Sequence, residues 1–180
     1  DLIVRRGLVA ASAIKRIAGS GVDVSIFQPS PERPGLPVIL LAARMLRDKG
    51  VYEFVKAAHL ARSRDVAARF VLVGDTDLEN PAAISREQLE RWNTERDVEW
   101  WGHRADMADV LRSAHVVCLP SYREGLPKVL LEAAACGRPL IASDVPGCRE
   151  IAIHNETGLL VPPRDPAALA DAMQTLARDA

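Results

Sequence analysis

From Pro37 onward, short apolar runs alternate with amphipathic stretches, and this rhythm limits the possible folds more than any other feature of the sequence. The runs are VILLAAR (38–44), RFVLVGD (69–75), VEWWG (98–102), HVVCLPS (115–121), PLIASD (139–144) and GLLV (158–161). Between and after them lie helical patterns at 51–63, about 82–96, 105–114, 128–136, 147–153 and 166–179. Runs that are apolar throughout, rather than at every second residue, belong to strands buried on both faces. Alternation with helices makes those strands parallel, because each crossover needs a helix's length of chain. The expected fold is α/β: a Rossmann-like, doubly wound parallel sheet of about six strands.

Such a sheet also says where to look for a ligand, since binding sites in open α/β folds lie beyond the carboxyl ends of the strands. Segments 44–50, 74–77, 102–104, 121–127 and 143–147 are therefore expected to share one rim. Before the alternating region, GSGVDVSIFQPSPERPGLP (19–37) is too rich in Gly, Pro and Ser to sustain a helix and reads as a linker. Residues 8–18 have an apolar pattern compatible with a helix, so 1–18 reads as the tail of a preceding domain. The division is then 1–18 tail, 19–36 linker and 37–180 domain.

In the fourth rim segment, SYREGLPKVLLEAAAC places Glu124 and Glu132 eight positions apart around a Gly-Leu-Pro turn. Gly125 lets the backbone turn sharply and a ligand approach without a Cβ in the way. Pro127 suits a first helical position, where its missing N–H is not needed. The amides of Leu126, Lys128 and Val129 would then face outward at the positive end of a helix, a setting that suits phosphate. An ordinary strand–turn–helix corner uses the same residues, so the turn alone decides nothing.

Glu132 falls one turn into that helix, inside the apolar run VLLEAAA, where a lone acid needs a partner. Beside a phosphate it should face a neutral part of the ligand, and a ribose diol supplies two hydroxyl donors to an acceptor-only group. Glu124, in the loop, would meet a different part of the ligand. In AARMLRDKG, Arg44 and Lys49 follow the first strand and could neutralise a diphosphate, one as a fork and one as a point charge. Arg47 reads as a solvated surface charge. His103 could contact a base or sugar or simply belong to a loop; His59 and His115 read as structural.

Net charge is −1, so nothing global points to nucleic acid or an anionic membrane, and any attraction for phosphate must be local. Asp75-Thr76-Asp77 has metal-motif spacing without other clustered ligands, and no metal is expected. No G-x-G-x-x-G follows a strand, and P-loop, nucleophile-elbow and zinc signatures are absent. Cys118, Cys136 and Cys148 show no CxxC spacing and read as free thiols of a reducing compartment. No apolar run reaches the length of a membrane span.

Taken together, GSGVDVSIF, ARMLRDKG, FVLVGD, VEWWGHR, VVCLPSYREGLPKVLLEAAACGRPLIASDVPGCREI and ETGLLVPP resemble, in order and spacing, the family-4 type of retaining glycosyltransferases. The resemblance implies one half of a GT-B fold, the nucleotide-sugar-binding C-terminal domain, with the acceptor-binding N-terminal domain absent. It implies that Arg44 and Lys49 hold the donor diphosphate, and that Gly125 and Leu126 bring backbone to the phosphate and the transferred sugar. Glu124 would lie near the sugar hydroxyls, Glu132 on the ribose, and His103 and Arg104 beside the base. Pro127 and Lys128 belong to the same loop-to-helix corner.

The Leu-Pro form of the turn, where many relatives have EGFG, resembles bacterial surface-polysaccharide and lipopolysaccharide enzymes that use UDP-sugars. The implied reaction moves a hexose or N-acetylhexosamine from a UDP-sugar to a glycan or lipid-linked acceptor. It implies no cofactor and no metal, and a cytoplasmic setting at the inner face of the membrane, with peripheral association where the acceptor is lipid-linked. The chain alone would then be inactive. A GT-B-like UDP-sugar epimerase and a non-catalytic nucleotide-sugar-binding module are the alternatives.

Overall fold

Six of the apolar runs become six parallel strands: β1 (Val38–Ala42), β2 (Arg69–Val73), β3 (Glu99–Trp100), β4 (Val116–Leu119), β5 (Leu140–Ser143) and β6 (Gly158–Val161). The computed structural model describes residues 2–15, 19 and 21–179. The helices are α1 (Leu2–Arg5), α2 (Val51–Ser63), α3 (Arg86–Thr94), α4 (Met107–Ser113), α5 (Lys128–Ala135), α6 (Pro146–Arg149) and α7 (Pro166–Arg178). Each helical pattern after Pro37 yields a helix: α2 fills its pattern, the others fall short of theirs at one or both ends, and α6 is a single turn.

The strand order is β3-β2-β1-β4-β5-β6. The chain winds outward from β1 through β2 to β3, then returns to pair β4 against the free side of β1, with Ile39 opposite Val116 and Leu40 opposite Val117. The carboxyl ends of β1 and β4 thus lie side by side while the helices that follow them, α2 and α5, pack on opposite faces of the sheet, which opens the crevice of a doubly wound fold.

Successive residues of one strand serve opposite cores, as the pleat requires. Ile39, Leu41, Phe70 and Leu72 pack with α2, α3 and α7 residues including Phe54, Leu89 and Met173. Val38, Leu40, Val71 and Leu140 pack on the other face with Leu111 of α4, Leu130 of α5 and Cys148 of α6. All five β1 residues are buried, which is why this run shows no polar alternation. Capping is explicit at two helices: Ser85 accepts from the Gln88 amide at 3.2 Å, and Asp165 accepts from Ala167 and Ala168 at 3.0 Å each.

The N-terminal region departs from expectation. No helix spans the described part of 8–18: α1 precedes it, and a single 3₁₀ turn covers Ala11–Ala13; positions 16–18 lie outside the described residues. Leu8 is 70% exposed and Val9 and Ile14 are also exposed, so among the described residues the apolar pattern meets no surface to offset helix nucleation.

The Gly/Pro-rich segment is held down more firmly than its composition suggests. Arg138, only 4% exposed, donates from Nη2 to the Ser30 carbonyl, from Nη1 to Ala114 O at 3.2 Å and from Nε to Cys136 O at 3.1 Å. His115 accepts the Val38 amide at Nδ1 (3.0 Å), which leaves Nε2–H to donate to Arg33 O (2.8 Å). Arg112 Nη1 reaches Ile26 O at 3.2 Å. Three side chains of the domain therefore clasp three carbonyls of a segment that has almost no regular structure.

Candidate nucleotide-sugar site

Arg44 and Lys49 arrive on the loop after β1, and Glu124 to Lys128 on the loop after β4, so the strand order alone brings the two groups to the central crevice. Two adjoining cavities occupy it. One, of about 220 Å³, is lined by Arg44, Lys49, Glu124, Pro127 and Lys128 among others. The other, of about 240 Å³, is lined by Arg44, Gly74, His103, Arg104, Met107 and Glu132 among others. Arg44 and Val129 border both. Eight of the ten candidate residues therefore line one continuous crevice, cationic at one end and ending at Glu132, His103 and Arg104 at the other.

The backbone makes this possible by close approaches that need glycine. A Cβ on Gly147 would stand 2.2 Å from Gly125 O and 2.5 Å from Glu124 O. The Glu124–Gly125 loop thus rests directly on the start of α6. Gly50, in the left-handed region at φ 73°, ends the Arg47–Lys49 turn, and a Cβ there would meet Pro120 O at 2.1 Å.

Gly125 itself has neither need: its φ is not left-handed and a Cβ would meet nothing within 4 Å. Its value is the open space above it, not a sharp turn. Pro127 also shifts by one position from expectation. It is the N-cap of α5, with ψ 112°, and the helix begins at Lys128. No side chain caps α5, unlike α3 and α7. Leu130 N–H donates to the Pro127 carbonyl at 3.1 Å, and the Lys128 and Val129 amides precede the first bond of the helix.

Lys49 Nζ donates to Glu124 Oε1 at 2.7 Å, and both side chains are largely buried. Arg44 Nη1 donates to Asp77 Oδ2 at 2.8 Å, with the guanidinium mostly exposed. Neither pairing was legible as spacing, because the partners are 75 and 33 residues apart. Lys128 Nζ lies 3.7 Å from Glu132 Oε1, one turn along α5. Burial pushes the Glu132 carboxyl above its ordinary range, and the Lys128 charge partly opposes the shift. Arg104 is forked onto Asp106, with Nε to Oδ1 at 2.7 Å, and the Leu126 side chain lies over Gly19.

Several supporting residues carry no motif. Tyr122 donates its hydroxyl to Glu53 Oε1 and its amide to Asp48 O, both at 2.9 Å, so it ties the β4–α5 loop to the β1–α2 segment carrying Lys49. Trp100 Nε1 donates to Gly74 O at 2.8 Å and holds the floor of the larger cavity. Among the expected structural histidines, His115 serves backbone as described, and His59 sits 3.1 Å from Asp97. Asp75 receives Arg86 at 3.0 and 3.1 Å while Asp77 receives Arg44. Both carboxylates of the D-x-D spacing are thus engaged by arginine. Among the described residues no group of three or more His, Cys, Asp or Glu is placed to hold a metal.

A parallel sheet of this order, with helices on both faces and a crevice at the carboxyl ends of its central strands, defines a Rossmann-like α/β domain. Residues 36–179 match the model of the group 1 glycosyl transferases, and the chain belongs to that family. It is 36% identical over 143 residues to the N,N'-diacetylbacillosaminyl-diphospho-undecaprenol alpha-1,3-N-acetylgalactosaminyltransferase of Campylobacter jejuni, across 79% of this chain and 36% of that protein. Sucrose-phosphate synthase from Thermosynechococcus elongatus superposes with a TM-score of 0.79 at 30% identity, over 99% of this chain and 47% of that one. Anabaena HepE, solved with UDP, gives a TM-score of 0.74 at 24% identity over 88% of this chain and 46% of that one, which speaks for the fold. The fold is thus one half of the GT-B architecture, and the chain spans less than half the length of each of these proteins.

Proposed function

We propose that the chain is the donor-binding domain of a retaining glycosyltransferase that takes a hexose or N-acetylhexosamine from a UDP-sugar. The observation that carries this reading is the crevice where β1 and β4 adjoin, with Arg44, Lys49 and Lys128 at one end and Glu132, His103 and Arg104 at the other. In it, Arg44, Lys49 and the Lys128 and Val129 amides meet the diphosphate. They stabilise the charge that grows on the leaving group when the glycosidic bond breaks. Glu132 accepts the ribose hydroxyls as an anion, while His103 and Arg104 flank the base. Glu124, held by Lys49, is aimed at the hydroxyls of the transferred sugar from the open space over Gly125. The group works by electrostatics and positioning, with no metal or cofactor in the scheme, and no side chain of this domain is assigned as a general base.

The acceptor is a glycan or a lipid-linked glycan of bacterial polysaccharide or lipopolysaccharide assembly, bound by a second domain joined through residues 19–36. The Campylobacter relative, whose name carries a diphospho-undecaprenol acceptor, supports the lipid-linked option. The working place would then be the cytoplasmic side of the membrane, with peripheral attachment; among the described residues no helix is long and apolar enough to cross one.

Titration calorimetry with UDP tests the reading. The chain binds UDP without turnover, and Glu132→Ala weakens binding by about 1.5–3 kcal/mol, roughly 10- to 150-fold in Kd, as expected for lost hydrogen bonds to a charged group. Absence of UDP heat, or affinity indifferent to both Glu132→Ala and Arg44→Ala, would sink it.

A further inference from the structure

The β2–α3 connection, residues 74–85, is a structured arm rather than a slack loop. Met45 N–H donates to Asp75 O at 3.0 Å, Ile84 N–H to Met45 O at 2.9 Å and Arg47 N–H to Ala82 O at 2.9 Å. Leu46 and Ala83 form an antiparallel bridge. Within the arm, Thr76 Oγ1 donates to Ile84 O at 2.7 Å, and Asp75 is pinned by Arg86. The arm is therefore stitched, backbone to backbone, onto the very segment that carries Arg44. Asp77 projects from it and takes Arg44 Nη1 at 2.8 Å.

We infer that Asp77 is an affinity-setting residue that competes with the diphosphate for Arg44. The inference rests on the donor reading above. Arg44 borders both cavities of the crevice, whereas Asp77 borders neither. Asp77 thus withdraws the guanidinium without occupying the ligand's space. A diphosphate entering the crevice must share Arg44 with Asp77 or displace it, and the Asp77 charge opposes the ligand in proportion to the ligand's own. The penalty falls hardest on the released nucleoside diphosphate, whose terminal phosphate ionises a second time with a pKa of about 6. In the donor that oxygen is esterified to the sugar. Asp77 therefore weakens product more than donor, and it favours product departure.

The test is calorimetry with UDP, UDP-glucose and uridine on the chain and on Asp77→Asn, Asp77→Glu, Arg44→Ala and the Arg44→Ala/Asp77→Asn double variant. An exposed ion pair of this kind supports a modest effect. Asp77→Asn should tighten UDP about two- to fivefold, the range set by such a pair. UDP-glucose should tighten less and uridine not at all, and Asp77→Glu should resemble the native chain. In the Arg44→Ala background Asp77→Asn should lose most of its effect. UDP affinity that is unchanged or weakened by Asp77→Asn, or a gain that extends equally to uridine, overturns the inference while native UDP binding leaves the donor reading standing. If neither UDP nor uridine binds the native chain, the donor reading fails and takes the inference with it.

Discussion

A carboxylate set into the otherwise apolar run from Val129 to Ala135 has a cost when ionised and, in the proposed donor site, a use when a ligand arrives. Burial raises the Glu132 pKa, so the folded, empty domain holds the proton more tightly than the unfolded chain does. The stability tied to this group is complete below the ordinary glutamate pKa and is lost as pH rises through the raised value. At neutral pH, Glu132→Gln is therefore expected to raise Tm by about 1–3 °C in a thermal melt, and the gain should disappear when the melt is repeated below the usual carboxylate range. The same substitution should weaken UDP binding, and in the native chain UDP affinity should fall as acid protonates Glu132. A residue that costs stability in the empty domain and supports binding in the liganded one fits a site role better than a packing role. Its membership in an apolar run is what made it visible in the sequence. The Lys49–Glu124 and Arg44–Asp77 pairs had no such local sign, because charge pairing across 75 and 33 residues is created only by the strand order.

At the scale of elements, the crevice depends on two loops that touch through backbone. Gly147→Ala should drive a Cβ into Gly125 O and Glu124 O and displace the β4–α5 loop. A lower Tm and at least tenfold weaker UDP binding are expected, measured by melt and calorimetry on one preparation. Gly125→Ala should leave Tm within about 2 °C, since neither φ nor space requires glycine there, yet it should still weaken UDP by filling the ligand's room. Equal loss of stability in both variants would contradict this division. Apolar runs and helical periods made the elements legible because each strand is buried on both faces. Which loops would meet was not, since periodicity names strands but not their neighbours. Gly147 illustrates the gap: segment 143–147 was on the expected rim, but only the approach of α6 to Glu124 gives that glycine its reason.

Across the whole molecule, the two cores share one sheet, and the cysteines are built into them: Cys118, Cys136 and Cys148 are all free and fully buried. Burial and the nearby Glu124 charge push the Cys148 thiol up to about 12, and burial raises Cys118 further. Since the thiolate is the reactive form, the native chain should give almost no reaction with a disulfide reagent at pH 8, and three thiols should titrate once it is denatured. Fast native labelling of any one would show that a core opens locally. The clasp of Arg112, Arg138 and His115 on Ile26, Ser30 and Arg33 acts at this scale too. With those carbonyls anchored, residues 26–33 move as part of the domain, and any swing of the preceding chain is taken up before Ile26. Gly19 and Gly21, both at positive φ, lie there, and Gly19 bears on Leu126 next to the Pro127–Lys128 corner. A rotation of the chain about Gly19 would therefore press on the Leu126 side chain and, through it, on the β4–α5 loop.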